Sequence, residues 1–237
     1  MRSKLNIFDI VDFHAHILPG ADHGSSSVKT SQDQLMHAKA AKVTRIVATP
    51  HFYPHLHSLD DFLIKRNESF QKLSAVLTND MPEIRLGAEV LLCDRLDLLI
   101  GIESLCINGS NTILLELPNT DITKEHYNAV KHFIKRGFDV VMAHAERYSP
   151  AAIDRVIDLG AKIQINANSV SRLFISSNIK NWLKFGNVVA LGSDIHHADK
   201  VAYKHFHSCQ RKIKEYIPYI EEQSNIIWEK TKPFVFD

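Results

Sequence analysis

Short apolar, β-branched runs alternate along this chain with longer segments of helical periodicity, and that alternation narrows the folds open to it. The predicted strands are 7–13 (IFDIVDF), 44–49 (TRIVAT), 83–89 (EIRLGAE), 112–117 (TILLEL), 138–144 (FDVVMAH), 162–167 (KIQINA) and 187–194 (NVVALGSD). Helices are predicted over 31–42, 58–78, 123–136, 149–160, 171–184 and 199–222. The first opens on Ser31 and Gln34 in capping-box spacing, with Leu35, Ala38 and Ala41 on its apolar face. Segment 93–104 fits either a helix or irregular chain. Strands this uniformly apolar are buried on both faces, as in a parallel sheet covered by helices. Seven such units imply a closed or nearly closed β/α barrel, with a flat doubly wound sheet as the alternative. No repeat, low-complexity tract or linker interrupts the pattern, so residues 1–237 read as a single domain.

Composition excludes several functions. Lys and Arg number 28 against 27 Asp and Glu, a balance that gives no electrostatic case for nucleic acid or an anionic membrane as the main partner. No stretch approaches the roughly 18 apolar residues of a membrane helix, and Asp9 and Asp12 interrupt the first apolar run, unlike a signal peptide. Cys93, Cys106 and Cys209 are odd in number and far apart, which argues against a disulfide framework or a thiolate zinc site. A cytoplasmic protein is expected. The oligomeric state stays open.

The 14 histidines are the anomaly, and their positions explain it. Active sites of β/α barrels lie at the C-terminal ends of the strands. Here those ends carry His14 and His16, then His51, Glu89, Glu116, His144, and finally Asp194 with His196. Side chains alternate faces along a strand, so His14 and His16 are expected on one side, as are Asp194 and His196. The sixth strand ends instead in Asn166 and Asn168, amides suited to hydrogen bonding. One histidine at a strand end is more often a satisfied polar group than a ligand, and Glu116 alone suits a solvated terminus. Six of seven ends agreeing is a different matter. Imidazole and carboxylate donors without thiolate suit Mn, Fe or Zn, and so many ligands point to two or three ions. His37, His126, His132, His205 and His207 fall on predicted helices and are assigned to the surface. His55 and His57 lie in a loop, and His23 and His197 adjoin ligands without sharing their period.

The ordered motifs DxHxH, PGxDxG, ATPH, GAE, LLELP, AHxER and GSDxH resemble the polymerase and histidinol phosphatase (PHP) superfamily. Within it they are most similar to the CpsB/CapC branch, bacterial manganese-dependent protein-tyrosine phosphatases of capsule and exopolysaccharide synthesis. The resemblance spans about residues 7–200. It implies a distorted (β/α)7 barrel holding three divalent ions, manganese foremost, with Fe or Zn as alternatives. It assigns His14, His16, Glu89 and Asp194 to one ion; Glu89, Glu116 and His144 to the second; Asp22, His51 and His196 to the third. Asp22 comes from the resemblance alone. The chain departs from the branch at His23, where a second acid is usual, at Ala145 in AHxER, and at Phe52 after His51. It also lacks an Arg beyond the DxH motif, where Lys200 or Lys204 is the nearest substitute, without the bidentate fork of Arg.

The resemblance implies phosphomonoester hydrolysis in which paired cations acidify a shared water and neutralise the phosphoryl oxygens. Arg147 is the candidate catalytic residue, placed to grip those oxygens; a surface ion pair with Glu146 is the alternative. No Cys has an Arg six positions on, so cysteine-dependent phosphatase chemistry is excluded. The implied substrate is a phosphotyrosine protein, a bacterial tyrosine kinase of polysaccharide export. The alternatives are a small-molecule phosphatase of the histidinol-phosphate type and a metal-retaining binding module.

Overall fold

The computed structural model describes residues 11–235, so part of the first predicted strand, 7–10, lies outside the described residues. The strands are β1 (Asp12–Ala15), β2 (Arg45–Ala48), β3 (His51–Phe52), β4 (Glu83–Leu86), β5 (Glu89–Leu91), β6 (Thr112–Glu116), β7 (Asp139–Met142), β8 (Lys162–Asn166) and β9 (Val188–Gly192). The helices are α1 (Val28–Ala40), α2 (Leu59–Ser74), α3 (Lys124–Lys135), α4 (Pro150–Asp158), α5 (Ala167–Ser171), α6 (Ser177–Lys184), α7 (Lys200–Lys212) and α8 (Ile217–Lys230).

Every described strand pairs in parallel, in the order β3-β5-β6-β7-β8-β9-β1-β2-β4. The ends of that order meet through the chain itself. β3 continues β2 across Thr49 and Pro50, and β5 continues β4 across Gly87 and Ala88. Pro50 has no N–H to give a ladder, yet its carbonyl accepts from Glu89 N at 3.1 Å, and Gly87 N donates to Ala48 O at 2.9 Å. The two interrupted strands therefore stay side by side. Counting each as one strand leaves seven, and the ring closes from β9 through β1 and β2. The molecule is the distorted seven-stranded barrel expected, and the flat sheet is excluded.

Two apolar clusters confirm the closure. The larger lies between strands and helices. The smaller joins Phe13 of β1, Val47 of β2, Leu114 of β6, Val141 of β7 and Val189 of β9 to Ile227 and Trp228 of α8. Residues from five of the seven strands meet here, so this cluster fills the barrel and α8 closes one end. The Trp228 ring lies under the Arg85 guanidinium, 4.6 Å from its centroid, and Arg85 Nε donates to Thr231 Oγ1 at 3.0 Å. Cation–π contact and burial therefore act on one side chain.

Several boundaries differ from expectation. α1 is capped by Ser27, whose side chain accepts from Thr30 N, not by Ser31. Ser31 is buried inside the helix, where its hydroxyl meets Ser25 Oγ at 2.7 Å. The predicted helix 199–222 is two helices, broken before Pro218 in the first turn of α8. The predicted helix 171–184 starts late, with Ser176 capping α6, and segment 93–104 forms two 3₁₀ turns. His126 is not a surface residue. It is 7% exposed, and its Nδ1 accepts from Thr123 N at 2.9 Å to complete the α3 capping box.

Trp228→Ala removes the plug of the barrel and is expected to destabilise the protein by about 3–5 kcal/mol. Phe174→Ala, at an exposed position, is expected to cost roughly 0.5 kcal/mol or less. Urea unfolding of both variants checks the contrast.

Candidate metal centre

The interruption of two strands places ligands. His51 opens β3 and Glu89 opens β5, and the two residues lie opposite each other in the ladder. Glu116 ends β6 two pairing steps beyond, opposite Leu91. His14 lies in β1 and His16 just after it, both fully buried. The remaining two of the inner set leave regular strand geometry. His144 has φ of 32° and Asp194 φ of 52°, left-handed conformations that non-glycine residues adopt at a cost of order 1–3 kcal/mol. Backbone bonds hold both: His144 N donates to Gln164 Oε1 at 2.8 Å, and Asp194 N to His14 O at 2.8 Å. Strand alternation therefore does not orient Asp194 and His196; a strained turn does.

The groups converge on one carboxylate. Glu89 Oε2 lies 3.1 Å from His14 Nε2, 3.3 Å from His16 Nε2 and 3.0 Å from His51 Nδ1, while Oε1 lies 2.6 Å from His144 Nε2. His14 Nε2 and His16 Nε2 face each other at 3.0 Å. Asp194 Oδ1 lies 3.5 Å from His16 Nε2 and 3.7 Å from His14 Nε2. Glu116 reaches towards His144, 3.6 Å, and His51, 3.9 Å. Rings of His16 and His196 stack with centroids 4.0 Å apart. Among the described residues, three sets of ligand atoms are compact enough to hold an ion: His14, His16 and Glu89; His51, Glu89 and Glu116; His16, His51 and His196.

The donors fit divalent cations. Both ring nitrogens of His51, Nδ1 of His144 and Oε2 of Glu89 are buried without a hydrogen bond, a costly state for polar atoms with nothing to coordinate. Charge balance points the same way. Burial opposes protonation of His14 and His16, yet the Glu89 and Asp194 carboxylates outweigh it and hold both above the ordinary histidine value. Conversely, the imidazoles hold Glu89 well below the carboxylate range against its own burial. The acids thus demand positive charge beside the inner histidines, which a divalent ion would supply. The outer imidazoles are neutral: burial takes His51 down to about 3 and His196 to about 4. Neutral imidazole is the form that binds metal.

Hydrogen bonds behind the ligands fix their ring faces. His16 Nδ1 meets Asp22 Oδ2 at 2.7 Å and His14 Nδ1 meets Gln164 Oε1 at 3.1 Å, which leaves both Nε2 atoms pointing inward. Asp22 also accepts from His51 N at 3.0 Å and Gly24 N at 2.8 Å. It sits beside the cluster, outside the three compact sets. A Cβ at Gly24 would lie 2.4 Å from His16 Cβ, which explains the glycine of the PGxDxG motif. Arg147 pairs with Asp194 through its guanidinium, and its side chain is 50% exposed at the rim. Its surface alternative fails, because Glu146 instead accepts from Asn166 N and Ser169 Oγ. Lys200 and Lys204 do not join the cluster; they line a groove between α1 and α7.

Sequence reasoning missed Gln164, Asp12 and His23, whereas Asn166 was expected to hydrogen-bond and does. Gln164 and Asn166 are linked at 2.8 Å, and Asn166 Nδ2 donates to Asp194 Oδ2 at 2.9 Å. A polar Gln inside an apolar strand was the available signal. Asp12 accepts from Ser193 N, 2.8 Å, and from the Tyr203 hydroxyl, 2.9 Å, tying β1 to the turn after β9. Its place two residues before His14 was the clue. The exposed His23 stacks on His51 at 4.6 Å and 13°, a contact that strand period cannot reveal.

Burial, then the neighbouring Glu89 charge, lifts the Glu116 carboxyl to about 7, above its ordinary 4.5. A folded-state value above the unfolded one stabilises the metal-free protein fully below about pH 4.5, and that contribution fades as pH rises through about 7. Glu116→Gln is neutral throughout. In chelator-treated protein its Tm is expected to fall less than wild type between about pH 5 and pH 7.5. Parallel melting curves would contradict this.

Comparison with known proteins agrees with the geometry. The family model described as capsular polysaccharide synthesis, CpsB/CapC, matches residues 10–230. CapC of Staphylococcus aureus is 30% identical over 186 residues, covering 75% of this chain and 68% of that protein. The tyrosine-protein phosphatase CpsB of Streptococcus agalactiae is 24% identical over 204 residues, covering 80% and 84%. A structure from work on YwqE of Bacillus subtilis and CpsB of Streptococcus pneumoniae, described as metal-dependent tyrosine phosphatases, superposes with TM-score 0.76 at 18% identity, covering 95% of this chain and 96% of the other. That last likeness is one of fold. Together with a site assembled from the same ordered motifs, the match across nearly the whole chain places this protein in the CpsB/CapC family of capsular polysaccharide synthesis.

Proposed function

We propose that the chain is a metal-dependent protein-tyrosine phosphatase. The observation that carries this is the convergence of four imidazole nitrogens on the buried Glu89 carboxylate beneath a half-exposed Arg147. His14, His16, Glu89 and Asp194 would hold one ion; Glu89, Glu116 and His144, with His51 close by, a second; His51 and His196, with Asp22 beside them, a third. The donor set suits manganese, and iron or zinc as alternatives. Bound there, divalent ions supply an acidified water and neutralise phosphoryl charge.

The chain's own groups do the rest. Asp22 and Gln164 hold His16 and His14 in the tautomer that presents Nε2. Asn166 and Arg147 both contact Asp194 Oδ2 and fix its carboxylate. Arg147, half-exposed at the rim, keeps guanidinium donors beyond the one on Asp194 to offer phosphoryl oxygens. Side-chain exposure of 50% at Arg147 and 23% at His196 leaves the site open, which suits a phosphotyrosine on a protein surface better than an enclosed metabolite. The family's role in capsular polysaccharide synthesis points to a bacterial tyrosine kinase as the substrate. Among the described residues no helix is long and apolar enough to cross a membrane. The three cysteines are free, so we place the protein in the reducing cytoplasm.

Manganese-loaded protein is expected to hydrolyse a phosphotyrosine peptide far faster than histidinol phosphate, and chelator to abolish turnover. His14→Ala and Asp194→Ala are expected to lose activity with unchanged far-UV circular dichroism. Arg147→Ala should lower kcat/KM by about 10²-fold. Preference for histidinol phosphate would move the substrate to the small-molecule class. No turnover of either compound would leave a binding module.

A further inference from the structure

The sequence from Lys200 to Lys214 carries five Lys or Arg residues, two histidines and no acid, in a chain with 28 Lys or Arg against 27 Asp or Glu overall. Most of it is α7. One side of that helix, Lys200, Lys204, His207 and Arg211, faces the end of α1 across a groove of about 520 Å³ completed by His37, Ala40, Ala41 and Lys42. Lys42, Lys200, Lys204, His207 and Arg211 are all exposed. No ion pair engages them among the described residues, whereas the nearby Lys39 of α1 is paired with Asp80. Four cations thus share one concave surface with no acid in its lining. Such a surface is a focus of positive potential.

The chain links the groove directly to the metal centre. Lys200 follows His196 by four residues, so their Cα atoms are at most about 14 Å apart. From Lys200 to Arg211 the helix rises roughly 16 Å, the length of about five extended residues. Resting on the phosphatase reading above, we propose that this groove docks an acidic segment of the phosphoprotein substrate, flanking the phosphotyrosine that enters the metal centre. A short run of Asp or Glu matches both the length and the spacing of the four cations. Nucleic acid is disfavoured because the lining holds no Phe or Trp, and its tyrosine, Tyr203, is buried and offers no face for base stacking. A lipid surface is disfavoured by the concave shape.

The test uses full-length manganese-loaded protein and two phosphotyrosine peptides, one flanked by five Glu and one by five Gln. At low salt the acidic peptide is expected to show a KM roughly tenfold lower with similar kcat, and the difference to shrink as salt screens it. Lys204→Glu/Arg211→Glu should abolish the preference while leaving turnover of the Gln-flanked peptide unchanged. Lys204→Arg/Arg211→Lys should retain it. Fluorescence anisotropy of the same Glu-rich peptide without phosphate reads docking independently of catalysis. Binding lost in the charge-reversed variant supports the groove even if phosphotyrosine proves not to be the substrate. Equal KM values and equal anisotropy for the two flanks would overturn the proposal. So would binding to single-stranded DNA or anionic vesicles, but not to the acidic peptide, that depends on the same two residues.

Discussion

Glu89 is the residue on which the structure turns. Its carboxylate is buried, and its two oxygens lie within 3.3 Å of nitrogens from His14, His16, His51 and His144. A carboxylate taken out of water needs charge or hydrogen bonds around it, and here the four imidazoles come from three places in the barrel: the end of β1, the start of β3 and the turn after β7. The fold exists in a form that makes this possible. Pro50 and the Gly87-Ala88 pair interrupt two strands without separating them, which sets His51 and Glu89 opposite each other. Two left-handed residues, His144 and Asp194, then turn their side chains into the same space.

The cost of that arrangement is met by a scaffold of polar bonds. Gln164 is the connecting piece. Its carbonyl accepts the His144 N–H and meets His14 Nδ1, and its amide donates to Asn166, which in turn holds Asp194. Gly192 is required beside it, since a Cβ there would lie 2.5 Å from Gln164 Nε2. Asp12 and Tyr203 tie α7 to the first strand on the same side, so the helix bearing the basic groove is anchored next to the metal centre. At the other end of the barrel, Trp228 and Ile227 fill the interior, leaving the polar end as the accessible one.

Much of this was legible in the sequence because two physical signals coincide. Apolar runs mark the strands, and the barrel rule places candidate groups at their ends, so the clustering of His14, His16, His51, Glu89, Glu116, His144, Asp194 and His196 could be expected from position. What stayed hidden depends on contacts between distant segments. The inward Gln164 looked like any polar residue within a strand, and His23 meets His51 only because the loop after β1 folds back over it. Helix ends were misjudged where a competing cap lay nearby, as Ser27 against Ser31. Asp22, inferred from resemblance, lies against His16 Nδ1 as a hydrogen-bond acceptor. The orientation of a carboxylate within one residue's reach of two roles is set by packing that no motif encodes.

The central claim is that buried donors converging on Glu89 constitute a multinuclear metal centre. Anomalous diffraction at the manganese edge from crystals of the manganese-loaded protein tests it most directly. Peaks are expected within ligand distance of Glu89 and its imidazoles, and are expected to be lost in Glu89→Gln. A fully folded protein with no peak in this pocket, or with peaks unaffected by that substitution, would contradict it.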